Sequence, residues 1–482
     1  MAEEQYSSQI KIDKCILSKA DGSKKEPLTN DMIISYTAQE SILSPFMTAS
    51  IILSDSKNVL NNFPIQGGEN LEFSVKTSWS DKSTVYKFKV YKISGRIVKN
   101  KKQVYQLSLI SSEALLNETI RVQTMLEGNP EGIIAKLLKG DNFLRSPKDF
   151  FSEPSRFEIK MSSNRQRPFD IIAKLISKSV SPKTDYSGTI NENTSETAQQ
   201  IKGSAGFFFW ETIRGYNFFS IDALCDVSEN GKFIVTEKIE GKEVPRLKSR
   251  AWGPYKEGIA NTDASGDQRF LIENVVFNSE VDLISSLRNG RYSTLMVFFN
   301  HSTGQYEEYV YKIKDSYNNM AHLGGQETVA LVPANQIELS DYPTRIMSKV
   351  LDHESWYNDP GIANPDDQSS TDPSKFADWQ KYYSAQSTVR ADLLTNQEAI
   401  VKIPGNPLIC AGDKIDIRLT SKISDAVKGK QPEDEESSGV YLVKETTHSY
   451  NFLEGTTGSL KTTLRLFRDS YGMKDKPSNH GQ

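Results

Sequence analysis

The sequence predicts a mainly β protein with α+β parts, and three observations predict it. Residues 32–112 alternate apolar and polar side chains in several short runs, the pattern of strands buried on one face. Strand-like runs resume at Gly206. Between them, two segments return apolar residues at helical rather than strand spacing.

In the first region, Met47, Ala49, Ile51 and Leu53 share one parity, with Phe46 on the other. Leu71, Phe73 and Val75 follow, then Tyr86, Phe88 and Val90, then Tyr105, Leu107 and Leu109. Lys99-Asn100-Lys101-Lys102 reads as a solvated hairpin turn. Ile133, Ile134, Leu137 and Leu138 then lie on one helical face, as do Phe169, Ile172, Leu175 and Ile176. Pro168 suits a first helical turn, where its missing amide hydrogen would go unpaired anyway. The polar stretch 183–203 reads as a loop or linker.

Phe207 to Thr212 and Tyr216 to Ile221 predict a hairpin turning at Arg214-Gly215, and a second hairpin spans 293–314 with its turn at 301–304. Residues 358–375, rich in Pro, Asp, Asn and Ser, predict a mobile loop. From Tyr471 onward a frayed tail is expected.

The chain has 482 residues, too long for one ordinary domain, and 58 Lys plus Arg against 62 Asp plus Glu give a net charge of -4. That balance excludes a polycationic protein that coats nucleic acid by neutralising phosphates. Cys15, Cys225 and Cys410 are far apart and odd in number, which fits a reducing compartment and no zinc cluster. No run of 18 apolar residues occurs, and Glu3 and Glu4 stand where a signal peptide would be basic, so a soluble, untargeted protein is expected.

Two strand segments look alike. Gly67-Gly68-Glu69-Asn70 leads into Leu71, Phe73 and Val75, and Ala411-Gly412-Asp413-Lys414 leads into Ile415, Ile417 and Leu419. The next strands also correspond, Val90 with Val443, and Tyr105, Leu107 and Leu109 with Thr462, Leu464 and Leu466. Gly67, Gly68 and Gly412 are therefore expected to be structural turn glycines, since a tight strand entry often needs positive φ. Any two three-stranded meanders share a pattern of this kind, so duplication and coincidence both remain open on the pattern alone.

The sequence carries no Walker loop, no GxGxxG after a strand, no GxSxG and no HExxH. His301, His322, His353, His448 and His480 are scattered, and each is expected to be a surface or packing residue. Asp352-His353-Glu354-Ser355-Trp356 gathers two acids, an imidazole and an aromatic, a group that acid/base chemistry could use, but the expected reading is a solvated helix end before the loop at Asn358. Glu433-Asp434-Glu435-Glu436 and the Lys99 turn read as solvated charge. No catalytic, cofactor or metal residue is assigned.

Several stretches taken together resemble a known family. They are Ser44-Pro45-Phe46 with Ile51-Ile52-Leu53-Ser54-Asp55, Tyr105-Gln106-Leu107-Ser108-Leu109 running into Ser112-Glu113, and Arg167-Pro168-Phe169-Asp170 opening a helix. The end region adds Pro404-Gly405-Asn406-Pro407, Gly412-Asp413, Ser438 to Val443, His448 and Leu464 to Ser470. In order and spacing they resemble the central baseplate hub proteins of contractile-tailed bacteriophages, and more remotely the N-terminal hub region of type VI secretion spike proteins. The long polar insertions at 183–203, 358–375 and 421–438 depart from the compact form of that family.

The resemblance implies two tube-like β-barrel domains with peripheral mixed α/β domains, assembling as a trimeric torus. Residues 1–112 would form the first barrel and 113–203 a peripheral domain. A second, discontinuous barrel would draw on 204–225, 291–335 and 387–470, with 226–290 and 336–386 as peripheral segments and 471–482 as a tail. The function implied is structural and non-enzymatic: a ring in the virion tail baseplate, made in the host cytoplasm, that adapts a trimeric central spike to a hexameric tail tube and lets DNA pass. The partners implied are two further copies of the chain, the central spike or tail lysozyme protein, tube or tube-initiator proteins and surrounding baseplate wedge proteins, with DNA only in transit and no stable membrane insertion. The near-neutral charge suits a conduit that does not hold DNA. A tail-associated peptidoglycan hydrolase or glycan-binding protein is the alternative, with Phe207 to Trp210 and Trp356-Tyr357 as a sugar platform.

Overall fold

The period-two runs pair with one another because each buries one parity and leaves its backbone donors and acceptors in need of a neighbour. The computed structural model describes residues 9–473 apart from 79, 81, 100–101, 182–204, 227–233, 240–241, 248–249, 258–269, 280, 302, 326–330, 333–336, 354–355, 359–372, 422–432 and 453–457. The expected linker at 183–203 and most of the expected loops at 358–375 and 421–438 lie outside the described residues, as do Asn100 and Lys101 of the basic turn.

Fourteen strands form one sheet. Half come from the start of the chain: β1 (Gln9–Ser18), β2 (Lys25–Pro27), β3 (Ile33–Ser41), β4 (Thr48–Asp55), β5 (Asn70–Thr77), β6 (Thr84–Lys99) and β7 (Lys102–Ile110). The others are β8 (Ala251–Glu257), β9 (Leu271–Ile272), β10 (Asn274–Ser279), β11 (Gln397–Pro404), β12 (Lys414–Arg418), β13 (Gly439–Phe452) and β14 (Gly458–Arg468).

The pairings of this sheet close one ring, and a second ring is completed through the continuous segment 271–279. In the first ring β1 pairs β5, which pairs β6, then β7, β4, β3, β13 and β14, and β14 returns to β1 where Ile10 stands opposite Gly458. Its interior holds Leu17, Tyr36, Ile51, Leu53, Phe73, Tyr86, Leu107 and Tyr450, all buried, with Tyr36 stacked on Phe73 at 4.0 Å between ring centroids. In the second ring β12 pairs β13, β13 pairs β14, β14 pairs β11 and β11 pairs β10. β9, the start of the same extended segment, pairs β8, and β8 returns to β12. Tyr255, Val401, Ile403, Ile415, Ile417, Tyr441, Val443, Leu464 and Leu466 fill this ring.

The β13–β14 hairpin belongs to both rings. Gly439 to Leu442 of β13 pair with β12, whereas Glu445 to Asn451 pair with β3, and the switch falls at a bulge on Lys444. A bulge bends the strand, which redirects the hairpin from one ring into the other.

The helical spacings form the helices Pro130–Lys139 and Pro168–Ile176, each with proline in its first turn. The Phe169 amide, left without an intrahelical partner, donates to Asn117 Oδ1 at 2.8 Å. A third helix, Pro373–Leu393, starts inside the stretch expected to be a loop. No helix among the described residues is long and apolar enough to cross a membrane.

Both expected hairpins form, Phe207–Thr212 with Gly215–Ser220 and Ser293–Asn300 with Gln305–Lys312. They do not join the strands after Ile400, as the sequence reading expected. Each sits in a three-stranded sheet of its own, and Phe207, Phe209, Tyr216, Phe218, Met296, Phe298 and Tyr311 share one core with the three helices. The reason is burial on both faces: all but one residue of the Phe207 hairpin strands is buried, so these strands lie between layers. The second ring is completed instead by β8 to β10, from the region expected to be peripheral. Tyr471 to Met473, expected to fray, are anchored: Gly325 N donates to the Tyr471 carbonyl at 3.0 Å, and Met473 is buried.

Candidate functional site

The turns that start the two meanders are built alike. Gly67 and Gly68 have φ of 102° and 87°, and Gly412 has φ of 87°, values that L side chains adopt at a cost. Gly68 N donates to Val90 O at 2.7 Å and Val90 N donates to Glu69 O at 2.8 Å. Gly412 N donates to Val443 O and Val443 N to Asp413 O, both at 2.8 Å. In each turn the acid after the glycine folds back on the loop amides. Glu69 accepts from Gln66 N and Gly67 N, both at 2.9 Å, and Asp413 accepts from Cys410 N at 3.1 Å.

Matching bulges follow: β6 skips Tyr91 after Val90, and β13 skips Lys444 after Val443. Ala49, Ile51 and Leu53 stand opposite Leu109, Leu107 and Tyr105, as Ala399, Val401 and Ile403 stand opposite Leu466, Leu464 and Thr462. The two segments thus agree in register across four strands. They differ in one flanking strand, since β1 runs antiparallel to β5 and β8 runs parallel to β12.

Buried charged groups lock the junction of the rings to the Phe207 hairpin. Glu40, at an inward parity of β3, accepts from Ile213 N at 2.8 Å and Ala411 N at 3.1 Å, so one carboxylate ties the hairpin turn to the Gly412 turn. Burial pushes its pKa up to about 7, against the pull of those amides and of Arg214. Arg214 in turn pairs with Asp413, which also accepts from Trp252 Nε1 at 2.9 Å. His448 lies two residues along β13 from the partner of Glu40. Its Nε2 faces the Ile409 carbonyl at 3.2 Å and its Nδ1 the Thr462 hydroxyl at 3.1 Å. A carbonyl only accepts, so Nε2 carries the proton and Nδ1 receives the Thr462 hydroxyl hydrogen. Burial lowers this imidazole to about 4.

Two further clusters brace the same region. Lys148 Nζ lies 2.5 Å from both Glu113 and Glu211, and the second oxygen of Glu211 accepts from Met47 N at 2.9 Å. Burial raises the Glu211 carboxyl, with Lys148 opposing it. At Glu113 the cation and the Ser146 hydroxyl outweigh burial and hold the group below its usual range. Asp469 accepts from Arg390 at 2.6 Å, from the Leu323 amide at 2.9 Å and faces His322 Nδ1 at 2.8 Å.

Asp352 pairs with Lys178, whose ammonium lies 5.3 Å from the Trp356 ring centroid, while Glu354 and Ser355 lie outside the described residues. Phe207, Phe209 and Trp210 are core residues, and the Trp210 indole donates to Ala411 O at 2.9 Å, so the first part of the expected sugar platform faces inward. Glu433 pairs with Arg418, and Asp434 caps the Glu436 and Ser437 amides. The three cysteines are free and buried. No group of three or more His, Cys, Asp or Glu that could hold a metal ion occurs among the described residues.

Glu40, Lys148, Glu211 and Arg390 were not singled out from the sequence, and Asp469 entered only within the stretch Leu464 to Ser470. The usable signal for Glu40 is its parity: Tyr36, Ala38 and Glu40 alternate on one buried face, and an acid there must find partners.

No family model matches the chain, and no curated protein matches it. Solved structures do. A tail protein from Neisseria meningitidis MC58 is similar over 96% of this chain and 97% of its own, with 11% identity and a TM-score of 0.46. The prophage MuSo2 43 kDa tail protein from Shewanella oneidensis is similar over 95% and 98%, with 9% identity and a TM-score of 0.42. The Escherichia coli c3393 protein, a type VI secretion component described as structurally similar to the bacteriophage T4 tail proteins gp27 and gp5, is similar over 97% and 79%, with 11% identity and a TM-score of 0.38. Tail proteins and a type VI secretion component are thus among the solved structures to which this chain is similar.

Proposed function

We propose that this chain is a structural subunit of a phage tail baseplate hub, in which three copies form a torus between a trimeric spike and a hexameric tube. The observation that carries the reading is the pair of strand rings that agree in turn, bulge and register. Read as two tube-like barrels, they give three copies six near-equivalent units, which match six tube subunits on one side and three spike subunits on the other. Heterologous contacts between copies complete a ring when the rotation closes.

The buried charged groups suit a part that must withstand mechanical force. Each joins segments far apart in sequence, Glu40 to Ile213 and Ala411, Lys148 to Glu113 and Glu211, and Arg390 to Asp469. On this reading any cell-wall hydrolysis belongs to the spike partner. DNA passes through the lumen of the ring.

Mass measurement by light scattering together with negative-stain imaging tests the reading. A trimer with a central hole is expected, alone or with spike protein. A monomer under both conditions overturns it, and clearing of cell-wall extracts by the purified chain would favour the hydrolase alternative.

A further inference from the structure

The two rings agree closely enough that a contact made inside the chain by one defines a contact left open by the other. In the second meander, β13 runs past its bulge and lays Glu445 to Asn451 along the edge of β3. The corresponding part of the first meander is β6 beyond Tyr91. There β5 has ended, its last pair being Asn70 with Lys89, and β6 is paired only with β7. Among the described residues no strand covers the other edge from Tyr91 to Lys99. That edge exposes Tyr91, Ile97 and Val98, the last two by 65% and 68%. A long open edge with exposed apolar side chains is a template for strand addition.

The receiving strand has its counterpart too. β3 presents Ala38 to Ala49 and Thr37 to Ser50 of β4, and β10 presents Phe277 to Ala399 and Val276 to Ile400 of β11. β3 therefore corresponds to β10, but the edge that β13 covers on β3 is open on β10. β8 leaves that edge after Glu257 and Ile272, and among the described residues no strand replaces it. Val276 is 48% exposed there.

We propose that β6 of one copy pairs antiparallel with β10 of the next copy, repeating between chains the β13–β3 contact found within the chain. This inference rests on the ring reading above. The register follows from the repeat. Ser449 of β13 stands opposite Lys461 and Thr37, and the residue opposite Val104, the counterpart of Lys461, is Ile97. Thr37 corresponds to Val276, so Ile97 faces Val276 of the neighbouring copy, and by the same step Val98 faces Val275. Ile97 and Val276, both exposed in the single chain, meet and leave water, and Val98 covers the half-buried Val275. The contact joins two different surfaces, so it propagates head to tail and closes as a ring.

The test is a cysteine pair. Ile97→Cys with Val276→Cys is expected to form disulfides between copies, giving a covalent trimer on a non-reducing gel, while neither single variant does. Independently, Ile97→Asp is expected to weaken association by about tenfold or more, while the circular dichroism spectrum of the separated chain stays that of wild type because the residue is exposed there. A wild-type trimer that shows neither crosslinking nor sensitivity to Ile97→Asp overturns this interface and leaves the ring reading standing. A wild-type monomer without crosslinks overturns both.

Discussion

Val90 and Val443 make the same two backbone hydrogen bonds in two different rings, each exchanging with a glycine amide and the carbonyl of the acid that follows it, at 2.7 to 2.8 Å. The glycines differ in surroundings, however. A methyl group on Gly68 would meet nothing within 4 Å, whereas on Gly412 it would lie 2.3 Å from Trp210 Cζ2. Trp210 is held by its bond to Ala411 and cannot easily retreat. Gly68→Ala is therefore expected to cost about 1–2 kcal/mol from backbone strain alone. Gly412→Ala adds overpacking and is expected to cost about 3 kcal/mol or more. Urea unfolding of the two variants checks this, and equal costs would remove the role given to the Trp210 contact.

Glu40 and His448 set up opposing pH dependences at the junction. The Glu40 carboxyl is raised from 4.5 to about 7, so between these values the folded chain holds a proton that the unfolded chain has lost. Its contribution is present below about pH 4.5 and is lost as pH rises to about 7. His448 is lowered from 6.5 to about 4, so its contribution is present above about pH 6.5 and is lost as pH falls to about 4. At about 1.4 kcal/mol per pH unit, each is worth about 3 kcal/mol, and the two slopes cancel through the shared window. Relative to wild type, Glu40→Gln is expected to lose stability progressively on acidification from about pH 7 to 4.5. His448→Gln is expected to gain it from about pH 6.5 to 4. Stability differences that stay constant with pH would show that neither group titrates as described.

Much of the β architecture could be read from residues, because Ala49, Ile51 and Leu53 or Leu71, Phe73 and Val75 announce their inward face by parity. The placement of the Phe207 hairpin could not. Phe207 to Thr212 is apolar or uncharged on both parities except at Glu211, which fits a ring interior and a buried layer equally well. The helix Pro373–Leu393 escaped for the converse reason. Ser384, Gln386 and Arg390 are buried among Tyr382, Tyr383 and Val389, so its inward face is not an apolar stripe. The buried clusters link residues such as Lys148 and Glu211, which no local spacing connects.

Lys148 sits between two buried carboxylates, Glu113 and Glu211, and the proximity of both keeps its ammonium charged despite burial. Replacing it by Met leaves the two acids facing each other without a counter-charge. Breaking a buried ion pair in this way costs about 3–5 kcal/mol. With the cation gone, burial and mutual repulsion raise both carboxyls, so the folded protein takes up protons more readily than the unfolded chain. The defect of Lys148→Met is then expected to be largest near pH 8 and to shrink as the pH falls. Adding Glu211→Gln removes one of the two charges while its amide oxygen still receives the Met47 amide, so the double variant is expected to recover part of the loss at pH 8. Denaturant unfolding of the three proteins at pH 8 and pH 5 measures this. A Lys148→Met cost that is within about 0.5 kcal/mol of zero at pH 8, or that grows on acidification, would show that the cluster does not brace the junction.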